Sequence, residues 1–251
     1  MTAPMTDTEK TASPADLLIV ALDVDSAERA VDIISQLEGL GVTFKIGLQL
    51  FTAAGPKFVE RLAADGKKIF LDLKFHDIPN TVAKAGIEAA KLGVWMFNVH
   101  ACGGSEMMKR TADEVGEFCS ASNRTVPHII AVTVLTSSES RVLDETGIES
   151  TVEGQVARLA KLTQESGLNG VVASAKEIGI IRSAVPSQNF RVVTPGIRPQ
   201  NATNDDQKRV MTPGTAISAG ADYLVIGRPI TEAGDPRTAA EEILNEIGMA
   251  N

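Results

Sequence analysis

The sequence predicts an α/β protein folded as a single (β/α)8 TIM barrel, and three observations carry that expectation: eight short apolar runs, eight intervening segments with helical periodicity, and a length of 251 residues. A closed barrel of this kind typically takes about 250 residues, so one domain accounts for the chain. The runs fall at 17–22, 42–46, 68–73, 94–99, 128–134, 170–173, 190–193 and 223–226. They are rich in β-branched residues and largely unalternating, the pattern of parallel strands covered on both faces. Between them, 27–37, 48–64, 81–92, 105–118, 152–165, 175–183, 215–219 and 238–247 carry apolar residues at helical spacing. Ser26, Ser105 and Ser174 stand where helix N-caps belong, because a serine side chain accepts a bond from an otherwise unpaired N–H of the first turn. The competing architecture, an open doubly wound sheet, usually shows a glycine-rich turn after its first strand. Asp23-Val24-Asp25-Ser26 is not such a turn.

Composition narrows the function. Residues 1–15 are polar, lack the apolar centre of a signal peptide and read as a flexible tail; residues 16–251 then form the barrel domain. A net charge of −8 argues against nucleic acid or an anionic membrane as a partner, since both need clustered Lys and Arg. No stretch approaches the roughly 18 apolar residues of a spanning helix, so a soluble, cytoplasmic protein is expected. Cys102 and Cys119 are the only cysteines, too few for a disulfide framework.

In a barrel the chemistry sits at the carboxyl ends of the strands. Asp23 follows the first run directly, Lys45 lies in the second, Asp72-Leu73 closes the third with Lys74 next, and Thr133 lies near the end of the fifth with Thr136 just beyond it. Asp72 and Lys74 are two apart, so on a strand both project to one side, which near the mouth is the interior. Asp77 follows in the loop, and a lysine flanked by two carboxylates is expected to stay protonated at neutral pH and to act as a proton donor. Charges inside an apolar strand are costly unless paired, which sets this group apart from a solvated surface cluster. Thr194-Pro195-Gly196-Ile197-Arg198 and Gly227-Arg228-Pro229-Ile230-Thr231 follow runs seven and eight, where barrels often bind phosphate with backbone N–H groups and arginine forks. Long polar loops at 136–150 and 195–211 are placed to cover a substrate.

Other polar or unusual residues read more simply. His76, His100 and His128 show no metal-ligand spacing with each other or with cysteine; the first two suit hydrogen bonding near the site and His128 a structural role. Met107-Met108, Trp95-Met96-Phe97 and Cys102 read as packing residues and Cys119 as a helix-end residue.

The segment Asp72-Leu73-Lys74-Phe75-His76-Asp77-Ile78-Pro79-Asn80-Thr81 resembles the signature of the orotidine 5′-phosphate decarboxylase family. Ala21-Leu22-Asp23, Phe44-Lys45-Ile46-Gly47, Val134-Leu135-Thr136-Ser137 and both arginine-bearing turns support the resemblance, which runs from Leu18 onward. It implies a cofactor-free, metal-free conversion of orotidine 5′-phosphate to uridine 5′-phosphate in pyrimidine biosynthesis. By the same resemblance Lys74 is the proton donor to C6 and Asp72 lies beside the departing carboxylate. Asp77 and Thr81 reach into the site of a second subunit, so that a homodimer with shared sites is the active unit. Asp23 and Lys45 contact the ribose, Thr136 the pyrimidine, and Gln207 bridges base and phosphate. Arg198, Gly227 and Arg228 hold the phosphate. Two rival readings are a magnesium-dependent sugar-phosphate decarboxylase or aldolase on a related barrel, and a catalytically silent nucleotide-binding barrel. The first would need an acidic metal ligand near the second strand, where this sequence has Lys45; the second sits poorly with an intact Asp72, Lys74 and Asp77.

Overall fold

The apolar runs become strands because their side chains are buried on both faces. A computed structural model describes residues 13–136, 140–199 and 211–250. Within them the strands are β1 (Leu18–Ala21), β2 (Thr43–Gly47), β3 (Ile69–Phe75), β4 (Met96–His100), β5 (His128–Val132), β6 (Gly170–Val172), β7 (Arg191–Pro195) and β8 (Tyr223–Ile226). Each pairs in parallel with the next, and β1 closes the barrel on β8 with Ile19 opposite Val225. Alternation along the strands sends Ile19, Phe70, Met96, Ile130, Val193 and Val225 into one inner cluster. Their neighbours, among them Leu18, Leu71, Phe97 and Val192, pack outward against the helices. Each such side chain contributes about 1.5–3 kcal/mol on burial. At the amino-terminal floor, Trp95 meets His128 and Tyr223 edge to face, with ring centroids 5.3 Å apart in both pairs.

The helical layer comprises α1 (Pro14–Leu17), α2 (Ala27–Gln36), α3 (Leu48–Ala54), α4 (Pro56–Ala64), α5 (Pro79–Lys91), α6 (Gly104–Ala121), α7 (Ser140–Glu145), α8 (Val152–Glu165), α9 (Ile178–Ala184), α10 (Pro213–Ser218), α11 (Arg228–Thr231) and α12 (Pro236–Ala250). Ser26 and Ser174 do cap: their side chains accept from Arg29 N–H and Lys176 N–H. Among these described residues no helix is long and apolar enough to cross a membrane.

Several expectations need correction. The segment 48–64 is two helices, because Gly55 at φ 73° turns the chain and Pro56 cannot donate into a continuing helix. Ser105 lies inside the first turn of α6, and Gly103 occupies the cap. Pro14 and Ala15 already belong to α1, so the barrel's ordered approach begins inside the segment read as tail. The loop after β5 contains α7, and α11 follows β8 directly. Cys102 is exposed; it sits in a short 3-10 turn after β4 and fills no core position. Cys119 does lie in the last turn of α6, as expected, and is fully buried there.

Candidate active site

The inner apolar cluster stops short of the carboxyl mouth, and a cavity of about 480 Å³ opens there. Its first half is charged. Lys45 Nζ lies 2.8 Å from Asp23 Oδ1 and 3.2 Å from Asp72 Oδ2, and Lys74 Nζ lies 2.6 Å from Asp72 Oδ1. Carboxylate and ammonium therefore alternate across β1, β2 and β3. Lys45 is 7% and Asp72 9% exposed, so each depends on its neighbours for charge stabilisation. Burial alone would lower the Lys45 pKa, but Asp72 and Asp23 outweigh it and the net shift is upward. For Asp72, burial pushes the pKa up, while Lys45, Lys74 and hydrogen bonds from Lys74 and Asn98 carry it below the usual carboxylate value. Gly47 makes room for this chain of charges, since a Cβ there would stand 3.2 Å from Lys45 Nζ and 3.5 Å from Asp23 Oδ1.

Lys74 does not reach the cavity by simple alternation. Its backbone is left-handed, at φ 53°, and β3 slips against β4 between Leu71 and Phe75. A non-glycine residue in that region costs of order 1–3 kcal/mol and persists where surrounding contacts hold it. The contact is Asn98 on β4, whose side chain accepts Lys74 N–H at 2.8 Å and donates to Asp72 Oδ1 at 2.7 Å. Asn98 was missed by reading the sequence. The signal was available, because an asparagine in the middle of Trp95-Met96-Phe97-Asn98-Val99 breaks an apolar strand just as Asp72 does.

The second half of the cavity comes from the ends of β5, β7 and β8. Thr136, Arg198, Gly227 and Arg228 all line it, with Gly196 beside them. A side chain at Gly227 would approach Ala21 Cβ to 3.3 Å, so its absence lets the β8 turn lie against the end of β1. Thr136 and Arg228 are exposed and Arg198 half-buried. Thr133 points elsewhere, donating to the Val172 carbonyl at 3.2 Å and bracing β5 against β6. Gln207 lies outside the described residues.

Asp77 and Thr81 are exposed and are not among the residues lining the cavity. Asp77 Oδ1 accepts Ile78 N–H at 2.6 Å, and Ile78 itself is 66% exposed. The expected grouping of Lys74 between two carboxylates is thus half realised within one chain, where Asp72 meets Lys74 and Asp77 faces outward. His76 and His100 meet at a tilt of 44°, with centroids 5.6 Å apart, beside the mouth. Among the described residues no group of three or more His, Cys, Asp or Glu is placed to hold a metal ion.

A closed parallel barrel with paired, buried charges at its carboxyl mouth defines a class, that of the (β/α)8-barrel enzymes. Within it, the chain belongs to the orotidine 5′-phosphate decarboxylase / HUMPS family, whose sequence profile matches residues 16–243. It is 51% identical over 233 residues to orotidine 5′-phosphate decarboxylase of Syntrophotalea carbinolica, covering 93% of this chain and 95% of that one. It is 52% identical over 231 residues to the protein of the same name from Idiomarina loihiensis, covering 92% and 97%. The crystal structure of orotidine 5′-phosphate decarboxylase from Lactobacillus acidophilus superposes with a TM-score of 0.81 at 40% identity, over 92% of this chain and 98% of that one.

Proposed function

We propose that this chain converts orotidine 5′-phosphate to uridine 5′-phosphate and carbon dioxide for pyrimidine biosynthesis, without cofactor or metal, as a cytoplasmic homodimer. The observation that carries the reading is the alternating chain Asp23, Lys45, Asp72, Lys74 at the cavity wall, together with family membership over residues 16–243. When the C6 carboxylate leaves as carbon dioxide, the bonding electron pair stays on C6, and the pyrimidine offers no adjacent sink for it. An ammonium already fixed nearby stabilises that charge without reorganising. Lys74 then transfers a proton to C6 and becomes the neutral amine. Asp72 lies beside the departing carboxylate and holds the Lys74 ammonium in place.

Arg198 and Arg228 supply charged donors at the β7 and β8 ends of the cavity, suited to a phosphate dianion. Gly227 adds backbone close to that position, Thr136 holds the pyrimidine, Asp23 and Lys45 hold the ribose, and Gln207 bridges base and phosphate. Binding energy from the remote phosphate then contributes to lowering the barrier at C6. The outward placement of Asp77, Ile78 and Thr81 supports a second subunit that receives Asp77 and Thr81 in its own site. The magnesium-dependent reading is disfavoured by Lys45, whose ammonium sits between Asp23 and Asp72, where a metal ion would meet a fixed positive charge.

The test is direct: purified protein with orotidine 5′-phosphate, followed by the absorbance change as uridine 5′-phosphate forms, with and without a chelator. Turnover unaffected by chelation is expected. Absence of turnover with tight uridine 5′-phosphate binding would revive the silent nucleotide-binding barrel, and chelator-sensitive turnover would revive the metal-dependent one.

A further inference from the structure

We propose that Asn98 is a positioning residue for the Lys74 ammonium, gripping Lys74 by its main chain and, through Asp72, by its side chain. This rests on the reading of Lys74 as proton donor and adds the device that aims it. Along the β3–β4 seam, Phe70 stands opposite Met96 and Leu71 opposite Phe97, but the next matched pair is Phe75 and Val99. Asp72, Leu73 and Lys74 therefore share a single opposing residue, Asn98. A slip of this kind interrupts the ladder, and a buried N–H left without an acceptor is destabilising.

The Asn98 side chain makes good the interruption. Its Oδ1 accepts Lys74 N–H at 2.8 Å, and its Nδ2 donates to Asp72 Oδ1 at 2.7 Å. The same Asp72 oxygen receives Lys74 Nζ at 2.6 Å. The partners dictate which way the amide faces, because an N–H needs an acceptor and a carboxylate needs a donor. Asn98 is fully buried, so no water replaces either bond in the folded chain. The left-handed backbone at Lys74, φ 53°, is one that lysine seldom adopts unaided. One planar amide thus spans the bulge, fixes the backbone from which the lysine springs, and orients the carboxylate against which its ammonium rests.

The two halves of the amide are separable by mutation. Asn98→Leu keeps the size and removes both bonds. Asn98→Asp keeps an acceptor for Lys74 N–H but, when ionised, sets a second carboxylate against Asp72. The charged and titratable groups around that position are Asp72 and Lys74 on β3, Lys45 on β2 through Asp72, and His100 on β4, which lies within electrostatic reach of His76, Lys74 and Asp72. Both ammonium groups already pair with Asp72, so the added carboxyl takes up a proton above the ordinary aspartate range. Once protonated it donates to Asp72 as the amide did.

Asn98→Leu is expected to lower kcat about 100-fold, the scale of a small misplacement of a reacting group, with KM changed by no more than about threefold. Asn98→Asp should lose kcat similarly at neutral pH and regain it, relative to the parent enzyme, as pH falls toward about 5. Circular dichroism and thermal unfolding confirm that the variants fold. If Asn98→Leu does not fold, the Asn98→Asp profile decides alone, and a ratio to the parent that is flat with pH overturns the proposal. A folded Asn98→Leu with parental kcat, or with a change in KM only, also overturns it. Lys74→Ala assayed in parallel separates the two ideas. Should Lys74→Ala keep its turnover, the donor reading falls, while a crystal structure of Asn98→Leu still decides the positioning. Lys74 remaining left-handed with Nζ against Asp72 in that crystal would refute it.

Discussion

The half of the mouth built by β1 to β4 differs in kind from the half built by β5 to β8. On the first, Asp23, Lys45, Asp72, Lys74 and Asn98 satisfy one another through contacts of 2.6–3.2 Å, and Lys45, Asp72 and Asn98 are buried. On the second, Thr136 is exposed in the turn after β5, Arg228 is exposed at the first position of α11, and Arg198 is half-buried after β7. The first half is held by its own internal contacts, which suits the stabilisation of a developing charge. The second suits capture of a mobile anion, where reach and charge matter more than rigidity. A division between preorganised chemistry and adaptable binding predicts different signatures for mutations on either side.

The largest expected effect lies in the preorganised half. Lys74→Ala should reduce kcat by about 10⁴-fold or more while thermal unfolding shows an intact fold; near-parental kcat would dissolve the distinction between the halves. The same variant sharpens the question of the second subunit. Mixed with inactive Asp77→Ala protein under conditions of demonstrated subunit exchange, it should recover measurable activity, and no recovery would count against shared sites.

On the binding side, Arg228→Ala should lower kcat/KM about 10- to 100-fold, the equivalent of losing one or two charge-assisted hydrogen bonds. Its effect should shrink for orotidine lacking the phosphate, and an equal loss for both substrates would place Arg228 away from that group. Gly47→Ala is a smaller intrusion. The added methyl group meets Lys45 Nζ at 3.2 Å, and roughly a tenfold loss in kcat is expected from the displaced charge chain.

The smallest effect concerns stability. Burial, aided by nearby His76 and Lys74 for His100 and by Arg191 for His128, lowers both pKa values from 6.5. The unfolded chain therefore binds protons that the folded chain refuses once pH drops below about 6.5. Stability from these neutral imidazoles is complete above that pH and is lost as pH falls through the folded pKa values. Denaturant unfolding should show a lower midpoint at pH 5.5 than at pH 7.5, and His128→Gln should reduce the difference. An unchanged difference would assign the acid loss elsewhere, Asp72 contributing only at lower pH, where its depressed pKa is approached.

Much of the candidate site is legible in the primary structure for a simple reason. Charged residues seldom occur inside apolar strands, so Lys45, Asp72 and Lys74 advertised themselves, as did glycine and arginine after the seventh and eighth runs. Asn98 is not legible from charge, because its amide is neutral and its role depends on partners across the β3–β4 seam. Thr133, also polar and near the mouth, braces β5 against β6.

The order of strands and helices, the single barrel and the carboxyl-end position of the polar residues follow from local patterning, since burial on both faces selects unbroken apolar runs. Helix limits at Gly55-Pro56 were also written locally, in residues whose backbone preferences interrupt a helix. Tertiary structure alone decided which charges meet. The Asp23–Lys45–Asp72 contacts join neighbouring strands through barrel register, and the left-handed turn at Lys74 depends on an amide contributed 24 residues later. Strand register and bulges arise from pairing between distant segments, and local propensity carries no record of that pairing.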